Sequence, residues 1–261
     1  MVIDFEREVG FIWDVDGVIV DSPHELAWRL TAEKWGVGEG RLDSRFYRDY
    51  VSGRPRYEGG NEILMRFGVY EHLGAGPDAE KEKVLEQYCT QKNELFRELV
   101  REGRFNVFGT SIAMVIEART RGVMQAVASA SKNAKSLLMQ ITSDWIFKVV
   151  RRRYDFIEEK NSLYSLFDVD ASGLTGKDKS EIFAFAAQRL HELSGGKIRH
   201  YIVFEDAPSG IEACKKNRMF GIGIRRIGER SALVEAGADI VVDDLGKLSY
   251  DELKSAFLKI F

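Results

Sequence analysis

The sequence predicts an α/β protein with a doubly wound, mostly parallel sheet and a small helical domain inserted after the first strand. Short apolar runs recur along the chain, and each ends at a polar residue. Helical patterns separate these runs, and that alternation is typical of a parallel sheet covered by helices on both faces. A stretch of about 80 residues without a comparable strand run predicts the inserted domain.

The elements of the main domain follow in chain order. The expected strands are Val9–Trp13, Val123–Ala128, Tyr201–Phe204, Gly221–Ile224 and Ile240–Val242. The expected helices between them are Ile112–Arg121, Ile182–Leu193 and Gly210–Asn217. We also expect helix across Asp144–Leu166, where the arginines at 151–153 are interpreted as a solvated helix face rather than a binding site for an anionic partner.

The region from Ser22 to Arg101 shows helical patterns throughout. Candidate helices there are Glu25–Trp35, Gly59–Phe67 and Ala79–Leu99. We therefore predict a discontinuous α/β core of residues 1–21 and 102–261, with residues 22–101 as a separate helical domain.

Composition excludes several classes of protein. With 44% hydrophobic and 30% charged residues, the 261-residue chain is neither disordered nor a disulfide scaffold. Its net charge of −3 shows no electrostatic footprint for nucleic acid or for a membrane surface. Cys89 and Cys214 lie far apart, as expected in a reducing compartment. No apolar run typical of a signal peptide or a membrane span is present, so we expect a cytoplasmic protein.

Polar residues follow three of the predicted strands. Asp14 and Asp16 follow the first, Ser129 the second, and Glu205 and Asp206 the third. Ligands bind at the carboxyl ends of strands in such sheets, so these side chains are expected to meet at one edge. Four carboxylates there would repel each other without a cation, and oxygen ligands with few histidines favour Mg²⁺ over zinc.

A lysine and a hydroxyl complete a set suited to phosphoryl chemistry. Lys177 follows the glycine-bearing loop 173–176, and its ammonium could neutralise phosphate charge while a carboxylate attacks phosphorus. The hydroxyl of Ser129 and the amides after it could hold phosphate oxygens. Residues i and i+2 of an extended segment point to one side, so Asp14 and Asp16 could act on neighbouring atoms, and Gly17 permits a tight turn. Each piece alone also has an ordinary structural explanation, such as a loop, a helix cap or a solvated lysine.

Four motifs in order resemble the haloacid dehalogenase superfamily of phosphotransferases, which has a Rossmann-like core and an inserted helical cap. They are FIWDVDGVIVDS at 11–22, ASASKN at 128–133, Lys177 within GKDKSEIF, and VFEDAPSGIEA at 203–213. The resemblance implies that Asp14 is a nucleophile that forms an aspartyl-phosphate and that Asp16 is the general acid and base. It also implies that Ser129 and Lys177 hold the transferred phosphoryl group, and that Mg²⁺ is bound by Asp14, the Asp16 carbonyl, Glu205 and Asp206.

Within that superfamily the sequence looks most like the β-phosphoglucomutase branch. The resemblance implies substrate-binding residues in the core loop at Ala130, Ser131, Lys132 and Asn133, and in the cap at His24, Lys92 and Arg56 of the loop 53–56. Two departures stand out. The stretch from Asp21 to His24 is about two residues shorter than in that branch, by comparison with its motif spacing. Lys179 rivals Lys177 for the lysine role, and the spacing to the helix at Ile182 favours Lys177.

Three hypotheses for function follow. The first is a Mg²⁺-dependent phosphatase of a small phosphorylated metabolite, in particular a sugar phosphate, with water as the phosphoryl acceptor. The second is a β-phosphoglucomutase-like mutase, in which a sugar hydroxyl accepts the phosphoryl group from the same intermediate. The third is an inactive regulatory domain on the same fold, since a fold alone does not guarantee activity.

Overall fold

The chain forms two compact units in a computed structural model that describes residues 3–52, 54–158, 161–174, 177–226 and 228–261. The first unit, the core, comprises Met1–Asp21 and Asn106–Phe261. The second, the inserted unit, is Ser22–Phe105. The second segment of the core thus begins at Asn106, whereas the sequence predicts that it begins at residue 102.

A parallel sheet forms the centre of the core. The strands in chain order are β1 (Val9–Trp13), β2 (Val20–Asp21), β3 (Asn106–Val107), β4 (Gln125–Val127), β5 (Val169–Asp170), β6 (His200–Glu205), β7 (Phe220–Ile224) and β8 (Ile240–Val242). Among the described residues, six of them form one sheet in the order β5-β4-β1-β6-β7-β8, with every pair parallel. The predicted α/β class is confirmed.

Strands β2 and β3 form a separate antiparallel pair, in which Val20 is opposite Val107. The chain leaves the core after the first of these strands and returns through the second. Both short strands, and β5 at the edge of the main sheet, were missed in the sequence because two residues are too few to show a period.

Helices cover the sheet and build the inserted unit. In chain order they are α1 (Phe5–Glu8), α2 (His24–Lys34), α3 (Ser44–Tyr50), α4 (Arg56–Arg66), α5 (Val69–His72), α6 (Asp78–Arg101), α7 (Gly109–Thr120), α8 (Ala134–Gln140), α9 (Ser143–Val150), α10 (Lys179–Leu193), α11 (Pro208–Lys216), α12 (Arg230–Glu235) and α13 (Tyr250–Leu258). Helices α2 to α6 belong to the inserted unit, where apolar side chains such as Trp28, Ile63 and Tyr88 form a core of their own. None of the described helices is long and apolar enough to cross a membrane.

The prediction of one helix across Asp144–Leu166 is wrong. Helix α9 ends at Val150, and the next residue, Arg151, adopts a left-handed conformation with φ of 56°. The ends of the segment are then drawn together, because the Ser143 amide donates to the Asn161 carbonyl at 2.9 Å and Thr142 bridges Ser162. A segment closed in this way has to reverse direction, so it cannot continue as a helix. Residues 159 and 160 lie outside the described part of the chain.

Candidate active site

The parallel register places the predicted catalytic residues at one edge of the sheet. Trp13 of β1 is opposite Val127 of β4 on one side and Phe204 of β6 on the other. The next residue along β1 is Asp14, whose amide donates to the Phe204 carbonyl at 3.0 Å. Glu205 ends β6 at the same level. Adjacent strand ends therefore present Asp14 and Glu205 side by side.

Two stacked aromatic rings lie directly behind this edge. The rings of Trp13 and Phe204 are parallel within 4°, with centroids 3.8 Å apart. The Trp13 indole donates to the side-chain oxygen of buried Gln125 at 2.9 Å. The side-chain nitrogen of Gln125 donates in turn to the Val115 carbonyl at 2.9 Å. Such an aromatic pair contributes about 0.5–1.5 kcal/mol beyond its buried area. The residues that immediately precede Asp14 and Glu205 are therefore held together.

Three carboxylates crowd together at the strand ends. One oxygen from each of Asp14, Glu205 and Asp206 lies within 4.8 Å of the others. The pKa of Asp14 is raised to about 7, because burial and the nearby Glu205 carboxylate raise it more than the Lys179 ammonium lowers it. Desolvation and the Glu205 charge also raise the pKa of Asp206 well above its usual value. These raised pKa values show that the cluster needs positive charge to keep its carboxylates ionised.

Lys179 supplies a cation to this cluster. Its Nζ lies 2.7 Å from Asp14 Oδ1 and 3.1 Å from Glu205 Oε2. Burial alone would lower the pKa of Lys179, but the charges of the two carboxylates outweigh this effect and raise the pKa above its ordinary value. Lys179 therefore stays charged at neutral pH.

The sequence predicts Lys177 at this place, whereas the structure places Lys179 there. Lys177 is exposed, and its ammonium lies 5.5 Å from the centroid of the Phe185 ring. The reason is a capping box: Asp178 caps α10, and its side chain accepts from the Glu181 amide while Glu181 accepts from the Asp178 amide. Lys179 is thus the first helical residue. The pattern of Asp followed three residues later by Glu was the signal that could have identified it. Residues 175 and 176 of the preceding loop lie outside the described residues.

The donor set fits a hard divalent cation. Asp14 Oδ1 and Glu205 Oε2 are buried, and apart from Lys179 no described residue hydrogen-bonds them. The backbone also leaves room for the acids, because a Cβ on Gly17 would lie 2.0 Å from Asp206 Oδ2 and one on Gly210 would lie 2.2 Å from Glu205 Oε2. Clustered carboxylate oxygens are the ligands that Mg²⁺ prefers.

Asp16 lies on a tight turn just beyond Asp14. The turn is closed where the Gly17 amide donates to the Val20 carbonyl at 2.8 Å, and Gly17 has φ of 77°. Asp16 also forms an isolated bridge with Val20. The Asp16 side chain is not one of the three clustered carboxylates. This agrees with the resemblance, which implies the carbonyl of Asp16, and not its carboxylate, as a metal ligand.

Ser129 begins a loop at the carboxyl end of β4, beside β1. Ser129 is 3% exposed, and its hydroxyl accepts from the Ser131 amide at 3.1 Å. The Asn133 amide donates in turn to the Ser131 hydroxyl at 3.2 Å. The other predicted residues of this loop differ in burial: Asn133 is buried, whereas Ala130 and Lys132 are exposed. The side-chain hydroxyls thus shape the loop itself.

The inserted unit brings two of its predicted residues together. Lys92 Nζ lies 2.7 Å from His24 Nδ1, and Lys92 is only 2% exposed. The ammonium also lies 4.7 Å from the Trp28 ring and 5.0 Å from the Phe96 ring. Arg56 is the half-buried first residue of α4. Residue 53 of its loop lies outside the described residues.

One residue that contacts the site region was not predicted. Arg226 follows β7 by two residues, and its Nε donates to the Gly17 carbonyl at 2.8 Å. The signal that could have identified it is the same as for the acids, a polar residue just after an apolar strand run.

Known proteins resemble this chain over most of its length. Residues 9–217 match the family model of the haloacid dehalogenase-like hydrolases. A β-phosphoglucomutase of Mycobacterium tuberculosis is 28% identical over 93% of this chain and 92% of its own. A phosphorylated carbohydrates phosphatase of Thermotoga maritima is 26% identical over 88% and 92%. The solved structure of a β-phosphoglucomutase from a Pyrococcus strain superimposes with a TM-score of 0.76 at 36% identity, covering 95% of this chain and 98% of that one.

Proposed function

Because this chain belongs to the haloacid dehalogenase-like hydrolase family, in its β-phosphoglucomutase-like branch, we propose that it is a Mg²⁺-dependent phosphatase of a small sugar phosphate. The observation that carries the proposal is the buried Asp14 carboxylate, in ion-pair contact with Lys179 and clustered with Glu205 and Asp206. Hydrolysis requires only groups that the core itself supplies.

Two displacements at phosphorus account for hydrolysis. In the first, a carboxylate oxygen of Asp14 attacks phosphorus, the bond from phosphorus to the ester oxygen breaks, and Asp16 gives its proton to that leaving oxygen. In the second, Asp16 takes a proton from water, which attacks the aspartyl-phosphate. Inorganic phosphate leaves, and the Asp14 carboxylate is restored. Lys179 and Ser129 would hold the oxygens of the transferred group.

The carboxylates of Asp14, Glu205 and Asp206 and the carbonyl of Asp16 would hold Mg²⁺, which neutralises the charge of the phosphate when bound. Since burial raises the pKa of Asp14 to about 7, a cation is also needed to keep this nucleophile ionised at neutral pH.

Metal binding should depend on pH, because protons compete for the same oxygens. The pKa of Asp14 in the folded protein lies above that of the unfolded chain, so the metal-free protein should lose stability as pH rises from about 4 to about 7. Mg²⁺ at about 100 times its Kd at pH 8 should raise the thermal unfolding midpoint by roughly 5–10 °C there and by much less at pH 5. Differential scanning calorimetry with KCl at equal ionic strength as the control measures this. Equal shifts at both pH values would contradict it.

A panel assay tests the substrate class. Purified protein with Mg²⁺ should release phosphate from small sugar phosphates faster than from nucleotides or from phosphorylated acids such as phosphoglycolate. Phosphate release from none of these compounds would overturn the proposed activity.

A phosphosugar mutase is the second candidate, and a specific observation favours it. In the inserted unit, buried Lys92 and half-buried His24 form a polar pair, and phosphate hydrolysis in the core does not require it. Two full-length relatives are also named as β-phosphoglucomutases. A coupled assay with β-glucose 1-phosphate and a trace of the bisphosphate separates the two reactions. Glucose 6-phosphate formed faster than free phosphate would replace the phosphatase with the mutase.

A further inference from the structure

Arg226 is fixed against the turn that follows Asp16. Besides donating to the Gly17 carbonyl, the guanidinium lies 3.6 Å from the centroid of the Phe108 ring. Its Nη1 lies 3.3 Å from Asp244 Oδ2, and the side chain is 13% exposed. An aromatic face, a carboxylate and a backbone carbonyl therefore hold the side chain on three sides.

The carboxylate of Asp244 is itself held in place. It accepts hydrogen bonds from the Thr110 hydroxyl at 3.0 Å and from the Gly246 amide at 2.8 Å. Burial would raise the pKa of Asp244, but these hydrogen bonds and Arg226 outweigh burial and lower it. Thr110 lies in the first turn of α7, so the network joins Arg226 to the start of a helix. The anchor behind Arg226 is thus ordered and charged.

The Gly17 carbonyl is the point at which this network reaches the site. Gly17 is the next residue after Asp16, and its carbonyl accepts from Arg226 Nε. Its Cα also faces Asp206, because a Cβ there would lie 2.0 Å from Asp206 Oδ2. A shift of this turn would therefore move Asp16 and alter the packing against Asp206.

We propose that Arg226 is a positioning residue for Asp16. By holding the Gly17 carbonyl, it orients the turn so that Asp16 can deliver its proton to the leaving oxygen. Arg226 touches neither substrate nor reacting atoms in this scheme. The inference rests on the proposed function, because it assumes that Asp16 is the general acid.

The choice of ester separates positioning from a merely structural role. An alkyl leaving group, as in a sugar phosphate, needs the proton of Asp16, whereas p-nitrophenolate leaves without one. Arg226→Met should lower kcat/KM at least about 10-fold for the best sugar phosphate and less than about 3-fold for p-nitrophenyl phosphate. Arg226→Lys, which keeps a donor for the carbonyl, should recover part of the loss. Asp16→Asn removes the proton donor itself, so it shows the largest difference to be expected between the losses of kcat/KM on the two esters.

Arg225→Met is the matched control. Arg225 is the neighbouring residue, but its side chain is 40% exposed and pairs with Asp243 at 2.7 Å. This variant should stay within about 2-fold of the wild-type kcat/KM on both esters, as surface changes usually do. Thermal unfolding shows whether each variant is folded. If Arg226→Met does not fold, the losses of kcat/KM on the two esters are compared in Arg226→Lys instead.

Equal losses on the two esters, or no loss on either, would overturn the role of Arg226 while leaving the phosphatase in place. A wild-type protein that is inert toward both esters would instead remove the proposed function on which this role rests.

Discussion

Replacing Asp14 with asparagine is expected to lower kcat/KM for phosphate esters at least about 10⁴-fold, as removal of a covalent nucleophile does in other enzymes. The amide has nearly the same shape but cannot form a stable bond to phosphorus. Asp14 is also one of three crowded carboxylates, so its neutralisation relieves repulsion and the variant should remain folded. Phosphate release and circular dichroism, measured on the same preparation, check both expectations.

An exposed aspartate serves as the control for this variant. Asp144 lies in the first turn of α9 and is exposed, so Asp144→Asn should keep wild-type activity within about 2-fold. Turnover by Asp14→Asn at the wild-type rate would refute the assignment of the nucleophile. It would mean that a group other than the Asp14 carboxylate attacks phosphorus.

Lys179→Met should have the second largest effect. Loss of one charged donor to a transferred group costs about 10²–10³-fold in kcat. The same change should reduce the free energy of unfolding by about 3 kcal/mol without metal, because Asp14 and Glu205 lose the cation that offsets their burial. Steady-state kinetics and urea unfolding in chelator measure the two effects.

Lys177→Met is the matched comparison, since the two lysines lie two residues apart. Lys177 is exposed, so its variant should stay within about 3-fold of wild type in kcat/KM and should unfold at the same urea concentration. The reverse order of effects, with Lys177→Met the more damaging, would return the catalytic role to the lysine that the sequence favoured.

The acidic site could be predicted because strand ends are easy to recognise. The runs that end at Trp13 and Phe204 are fully apolar and end abruptly, and their strands are neighbours in the parallel sheet, so Asp14 and Glu205 lie side by side. The lysine was harder, because two candidates two residues apart differ only in which one begins α10. That choice depends on the Asp178 capping box, a local signal weaker than an apolar run.

Other features depend on contacts that no local pattern encodes. The reversal of the chain after Arg151 depends on pairing between Thr142 and Ser162, which are far apart in sequence. The strand-end pattern points to Arg226 itself, but its contact with the Gly17 carbonyl joins residues 209 positions apart. A period or a motif reports on neighbours along the chain, so neither arrangement could be read from it.

If Asp14 is the nucleophile, it carries the phosphoryl group during turnover. Acid quenching of the wild-type protein during steady-state hydrolysis, followed by peptide mass spectrometry, tests it most directly. One added phosphoryl group is expected on the peptide that contains Asp14, and it should be absent when substrate is omitted and absent in Asp14→Asn. A phosphoryl group on any other peptide during rapid turnover, or on none, would contradict it.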